Sequence, residues 1–301
     1  MKKTSIIIPY FNRSQTIERC LKSVINQTFS DWECLIIDDG SSSEESKSLQ
    51  ESLYKFNDGR ISIIKHDENK GGGAARNTGI ESSSGEIIAF LDSDDEWLSN
   101  KLDAQIKELE SKGPVFSYCQ SIVMHERGKS VLPQTPIKDY AIADYLFVQN
   151  GWIQTSSISI KRETLGTIRF NESLPRHQDY DLIFQLENYG IQPRLLNKTL
   201  VLVHWEDIDT SGRAINISNS EHFLELHSRS FSKNAKTCFQ TANIIIPTIR
   251  LKGRIAGLKK LKRDFWRILQ NRNLSVNMLS MFIFKDQRLL RYAASMIEKL
   301  S

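Results

Sequence analysis

The chain has 301 residues, 40% of them hydrophobic and 25% charged, with ordinary glycine and proline counts; this excludes disordered, fibrous and disulfide-stapled classes and leaves room for one large α/β domain with an appendage. The formal net charge is +4, but residues 250–272 carry nine lysines and arginines against the single acid Asp264, so the rest of the chain is net acidic. Cys20, Cys34, Cys119 and Cys238 are too scattered for a zinc or redox motif, which suits a reducing cytoplasm, and no run approaches the roughly 18 apolar residues of a spanning helix.

Met1-Lys2-Lys3-Thr4 leads directly into Ser5 to Pro9, which reads as a first strand and not as the core of a signal peptide. Further strands are expected at Glu33 to Asp38, Arg60 to Lys65 and Ile87 to Leu91, with helices at Gln15 to Asn26, Glu44 to Phe56 and Gly73 to Ser82 between them. Short β-branched runs alternating with segments of helical period imply stacked βαβ units and a mostly parallel sheet. A helix near Lys101 to Ser111 is followed by a strand pair, Val115 to Met124 and Val131-Leu132, turning through Glu126 to Lys129. Thr155 to Lys161 reads as a strand, Asp179 to Tyr189 as an amphipathic helix and Arg194 to Val203 as a last strand. The pattern is helical from about Ser220, with Leu251, Ile255, Leu258, Leu261, Phe265 and Ile268 stepping by three or four. The expected organisation is a catalytic domain over residues 1–215 and a helical, partly basic extension over 216–301.

Open α/β sheets bind ligands beyond the carboxyl ends of their strands, which directs attention to four loops: Tyr10 to Ser14, Asp39 to Ser43, His66 to Gly73 and Asp92 to Glu96. Asp92 and Asp94 flank Ser93 at the end of an apolar run. Two such carboxylates suit Mg²⁺ or Mn²⁺ shared with a substrate diphosphate, and alone they serve equally as an acidic turn or helix cap. Asp38-Asp39-Gly40-Ser41 ends the second strand, where Asp39 is placed to accept from a base or ribose or to cap a turn. Asn69 to Asn77 sets small residues and Arg76 at a helix start, an arrangement that favours anions.

Five segments in order then resemble one family: Ser5-Ile6-Ile7-Ile8-Pro9-Tyr10-Phe11-Asn12, Ser23 to Thr28, Asp38-Asp39-Gly40-Ser41, Ala75-Arg76-Asn77-Thr78-Gly79-Ile80, and Gly85 to Asp95. The chain resembles the inverting glycosyltransferases of family 2, of the bacterial surface-polysaccharide type, whose GT-A fold is a Rossmann-like α/β nucleotide-sugar-binding domain around a mostly parallel mixed sheet. The resemblance is strong over residues 4–112, looser to about 212, and absent beyond.

What it implies transfers position by position. Pro9, Phe11 and Asn12 would border the nucleotide, Asp39 would read the base, Arg76 would lie near the diphosphate, and Asn69 would belong to the nucleotide-sugar site. Asp92 would touch ribose or donor sugar, and Asp94 would bind Mn²⁺ or Mg²⁺ with His204 from the last core strand. His177-Gln178-Asp179-Tyr180-Asp181-Leu182 resembles the family's acidic motif, so Asp179 is the expected general base; Gln178 stands where Glu is usual, and Asp181 should point elsewhere. Trp152 and Trp205 are candidates to stack on a sugar or to pack inside.

The implied reaction is inverting transfer of one sugar, hexosyl or N-acetylhexosaminyl, from a nucleoside-diphosphate sugar to a hydroxyl of a glycan or lipid-linked glycan. Uridine is the nucleotide by resemblance, and the setting is polysaccharide or lipopolysaccharide synthesis. No Q-x-x-R-W segment marks a processive enzyme. A sugar-phosphate nucleotidyltransferase and a catalytically silent scaffold remain alternatives. No nucleic-acid motif is present. The basic stretch 250–272 suits either an anionic membrane surface or packing on the domain, giving a cytoplasmic protein, free or peripheral at the membrane.

Overall fold

Ile6 and Ile8 face one side of a sheet and Ile7 the other, as the two-residue period of a strand requires, and that alternation separates the two main cores of the protein. The computed structural model describes residues 3–110, 113, 115–125, 128–137, 140–205, 216–245, 247 and 248. Strand β1 (Thr4–Tyr10), helix α1 (Ser14–Ile25), β2 (Trp32–Asp38), α2 (Ser43–Phe56), β3 (Ile61–Lys65), α3 (Gly72–Ser82) and β4 (Ile87–Phe90) alternate as expected. Then come β5 (Glu96–Trp97), α4 (Lys101–Leu109), β6 (Val115–His125), β7 (Gly128–Leu132), α5 (Ile142–Phe147), β8 (Ser159–Lys161), α6 (Arg162–Leu165), α7 (Gln178–Asn188), β9 (Gln192–His204), α8 (Ile217–Leu226) and α9 (Lys233–Gln240).

The strands run in the order β3-β2-β1-β4-β8-β6-β9-β5, with β7 added to β6. β3, β2, β1 and β4 are mutually parallel, β8 is antiparallel to β4 and β6, and β6 is parallel to β9. Ile6, Ile8, Ala89 and Leu91 pack with residues of α1, α2 and α4 on one face, while Ile7, Ile88 and Phe90 pack with α5, α7, α8 and α9 on the other. At Gly79 of α3, a Cβ would sit 2.4 Å from Ile7 Cγ2, so glycine is what lets this helix lie on β1.

The fold differs locally from the sequence expectation in two respects. Only Ser159–Lys161 of the segment 155–161 is strand; Thr155–Ser157 form a 3₁₀ turn, in which Ser157 Oγ donates to Gln154 O at 2.7 Å and Ser156 Oγ reaches Asp95 at 2.6 Å. The strand β5 and the short helices α5 and α6 were not expected; two to six residues carry too little periodicity to be seen in sequence.

The expected domain boundary falls in residues 206–215, outside the described ones, as does the basic stretch 250–272. Beyond it, α8 and α9 bury Phe223, Leu224, Ala235 and Phe239 in the same core as β1 and β4. Among the described residues no helix is long and apolar enough to cross a membrane.

Candidate active site

The carboxyl ends of β1, β2 and β4 open onto a cavity of about 790 Å³, within the ordinary range for a ligand site. Pro9, Phe11, Asp39, Asn69, Arg76, Asp92, Asp94, Asp179 and His204 all line it. Asn12 does not. It adopts a left-handed backbone (φ 49°) and staples the first two loops: its N–H donates to Ser41 Oγ at 3.0 Å, and its Oδ1 accepts from Ser42 N at 3.0 Å. Glu45 completes this joint, accepting from Ser14 N at 2.9 Å and from Tyr10 Oη at 3.0 Å.

Asp39 is buried at the cavity edge and already well bonded. Its carboxylate accepts from Lys70 N at 2.9 Å and Gly71 N at 2.8 Å, and lies 2.7 Å from His66 Nδ1. It therefore pins the Lys70-Gly71 backbone that leads into α3, whose own first N–H groups have no side-chain cap. The adjacent Gly40 has φ +72°, and a Cβ there would meet the Glu68 carbonyl carbon at 2.4 Å; only glycine lets the second loop pass so close to the third.

Arg76 is held from two sides. One Nη donates to Asp92 Oδ1 at 2.5 Å and the other to Gln178 Oε1 at 3.0 Å, while the guanidinium lies 5.3 Å from the Phe170 ring centroid. A Glu at position 178 would give it two carboxylate partners; Gln leaves it one formal counter-charge, Asp92. Asp94 faces Arg13 at 3.7 Å, and its backbone carbonyl accepts from Arg19 at 2.7 Å. Asp95 turns inward, accepting from Ser156 Oγ at 2.6 Å and Gln154 Nε2 at 2.7 Å. Burial, and then the neighbouring Asp92 and Asp94, push its carboxyl well above the usual range.

Asp179 stands in the first turn of α7. Burial dominates its environment and raises its carboxyl to about 6, with Asp92 adding to the rise and Tyr180 N–H and Arg76 opposing it. His177, just before it, is kept neutral by burial and then by Arg176, with its ring lowered to about 3. Trp152 and Trp205 meet edge to face at 5.3 Å and both line the cavity. Asn243, from a π-helical turn at Thr241–Ile245, also lines it.

His204 reaches the cavity from the end of β9, and its Nε2 lies 2.8 Å from Glu96 Oε1. A carboxylate behind an imidazole is the pairing that orients metal-bound histidines. Among the described residues, no three His, Cys, Asp or Glu side chains gather to hold an ion by themselves. One carboxylate and one imidazole fit a divalent ion that takes its other ligands from a diphosphate and water.

Sequence reasoning missed Gln154, Arg176 and Asn243 on the cavity wall, and His66 and Ser156 behind it, bonded to Asp39 and Asp95. His66 lay in a loop already marked by its position after a strand; for the others no signal in the sequence points to the cavity.

A mostly parallel α/β sheet whose strand ends carry paired aspartates, facing an arginine-bearing helix start, is the arrangement of a GT-A glycosyltransferase. The chain belongs to glycosyl transferase family 2, whose model matches residues 5–163. It is 33% identical over 207 residues to the amylovoran biosynthesis glycosyltransferase AmsB of Erwinia amylovora, covering 66% of this chain and 69% of that protein. With the UDP-Glc:alpha-D-GlcNAc-diphosphoundecaprenol beta-1,3-glucosyltransferase WfgD of Escherichia coli it shares 39% identity over 133 residues, 43% of this chain and 51% of that one. The solved structure of S. aureus TarS residues 1–349 with UDP superposes with a TM-score of 0.62 at 19% identity, covering 84% of this chain and 76% of that one.

Proposed function

We propose that this glycosyltransferase moves a single hexosyl or N-acetylhexosaminyl unit from a UDP-sugar to a hydroxyl of a lipid-linked glycan, with inversion, at the cytoplasmic face of the membrane. The observation that carries this reading is Asp179, a carboxylate of raised affinity for protons in the same cavity as the Arg76–Asp92 pair. A group titrating near 6 is ionised at neutral pH yet basic enough to accept a proton in the transition state. The donor class draws on WfgD, which uses UDP-Glc, and on TarS, whose structure holds UDP. The acceptor class draws on the diphosphoundecaprenol substrate of WfgD.

In this mechanism Pro9, Phe11 and Asp39 receive the uridine, and Asn69 and Arg76 face the diphosphate. Asp92 accepts from ribose or donor-sugar hydroxyls, which loosens its hold on Arg76 as the phosphates arrive. Asp179 withdraws the proton of the acceptor hydroxyl while that oxygen bonds to the anomeric carbon; the bond from carbon to phosphate oxygen breaks and UDP leaves with the electron pair. Attack from the face opposite the leaving group turns an α-linked donor into a β-linked product. Asp94 and His204 would hold Mn²⁺ or Mg²⁺, which when bound neutralises charge on the leaving diphosphate. Trp152 and Trp205 offer an apolar wall for a sugar ring, and the basic residues 250–272 would attract an anionic membrane surface.

The test is a panel of UDP-sugars given to the full chain with Mn²⁺ and an undecaprenyl-diphosphate-linked sugar. Released UDP and an acceptor heavier by one sugar are expected; absence of both nucleotide binding and turnover across the panel would refute the reading.

A further inference from the structure

The first turn of α7 is gripped on both sides of Asp179 by one face of α8. Two residues before Asp179, His177 takes a left-handed backbone conformation (φ 65°) that non-glycine residues rarely adopt. Its ring is held there by neighbours: Nε2 lies 2.9 Å from Ser220 Oγ of α8, and the ring stacks on Tyr180 and packs against Phe223 and Phe239 at 5.2 and 5.3 Å. Two residues after Asp179, the Asp181 carboxylate is 2.8 Å from His227 Nε2 at the end of α8 and accepts from Gln185 at 2.7 Å. Ser220, Phe223 and His227 are spaced i, i+3 and i+7, so they form one stripe of α8. Ser220 is fully buried, and His227 stacks on Phe184 of α7 at 4.9 Å.

We propose that α8 is a positioning element of the catalytic centre: Ser220 and His227 hold His177 and Asp181, and between those two anchors they fix the backbone turn that aims Asp179 at the acceptor hydroxyl. The inference rests on Asp179 being the general base. It gives the segment following residue 215 a part in catalysis through its contacts with α7. A pair of anchors four residues apart is what a single turn needs to be fixed in both tilt and rotation.

The charges that act on Asp179 are Arg76 of α3 and Asp92 after β4; Arg176, His177, Tyr180 and Asp181 flank it in its own segment, with His227 behind Asp181. A loosened turn admits water around the carboxylate and weakens the burial that raises it.

The experiment compares Ser220→Ala, His227→Ala and His227→Gln in the full chain with the wild type and with Asp179→Asn. The readouts are kcat, UDP affinity, thermal melting and the acid limb of the pH profile. Ser220→Ala and His227→Ala are expected to lower kcat by roughly 10- to 100-fold, the scale set by small displacements of a reacting group. Their UDP affinity should stay near wild type, and their acid limb should move below about 6, toward an ordinary carboxylate. His227→Gln, whose amide N–H can still donate to Asp181, should recover most of kcat and restore the limb. Should His227→Ala fail to fold, Ser220→Ala and His227→Gln decide the matter by the same readouts. Wild-type kcat and acid limb in Ser220→Ala and His227→Ala, with only a lower melting temperature, would overturn the positioning role. An active Asp179→Asn would instead overturn the assignment of the base.

Discussion

Replacing Asp179 by Asn keeps the side chain's shape and its acceptor for Tyr180 N–H, which now bonds Asp179 Oδ1 at 2.9 Å, but removes the base. General-base assistance is worth about 10²- to 10⁴-fold, so kcat should fall by that factor with little change in UDP affinity. The same variant should be no less stable. Burial raises the carboxyl from 3.8 to about 6, and at about 1.4 kcal/mol per pH unit the folded state carries a penalty of at most about 3 kcal/mol for keeping it ionised. Because the folded value exceeds the unfolded one, the penalty is absent below the unfolded pKa, grows between that value and about 6, and is complete above. Asp179→Asn should therefore melt at or above the wild type at pH 7.5 and level with it near pH 3.5. The wild-type rate should climb along an acid limb centred near 6. Activity is read as UDP release and stability as thermal melting. A variant within tenfold of wild-type activity, or one that melts lower at pH 7.5 than the wild type, would refute the reasoning.

Four other substitutions test the rest of the account. Asp94→Asn and His204→Ala should each raise the Mn²⁺ concentration needed for half-maximal turnover, and a chelator should abolish wild-type turnover; unchanged metal dependence in both variants would remove these residues from the ion's shell. Lys101 is fully buried, its Nζ 2.5 Å from Gln105 Oε1 and 3.8 Å from the Trp97 ring centroid, and burial lowers it to about 8. Lys101→Met should raise the melting temperature by several degrees at pH 7, since Ser159 Oγ still donates to Gln105 Oε1 at 2.7 Å; a lower melting temperature would contradict it. Gly79→Ala forces a Cβ into Ile7 and should destabilise by about 1–3 kcal/mol in denaturant unfolding, with a neutral result showing that α3 can move off β1.

The alternation of strand and helix over the first hundred residues was legible because each element there is long enough to show its period: β1, β2 and β3 lie within a residue or two of their expected bounds. Their polar termini marked the donor side for the same reason. The presence of Asp39 and Arg76 at the cavity was readable from strand ends, but their partners were not. Asp39 holds the Lys70-Gly71 backbone over thirty residues away, and Arg76 meets Gln178 across a hundred residues. Such pairings depend on tertiary approach and leave no local pattern. That Asn12 joins the first two loops through a left-handed backbone, its amide oxygen accepting from Ser42 N, is likewise not revealed by its family position. The share taken by α8 was hidden too, since Ser220 and His227 look like ordinary surface-helix residues until their contacts with His177 and Asp181 are seen.

The most direct measurement is the anomeric configuration of the product. The full chain, Mn²⁺, an α-linked UDP-sugar that supports turnover and an undecaprenyl-diphosphate-linked acceptor are combined, and the new glycosidic linkage is read by proton NMR from its anomeric coupling. A β-linked sugar is predicted, formed by direct displacement with Asp179 as base. An α-linked product would contradict that mechanism.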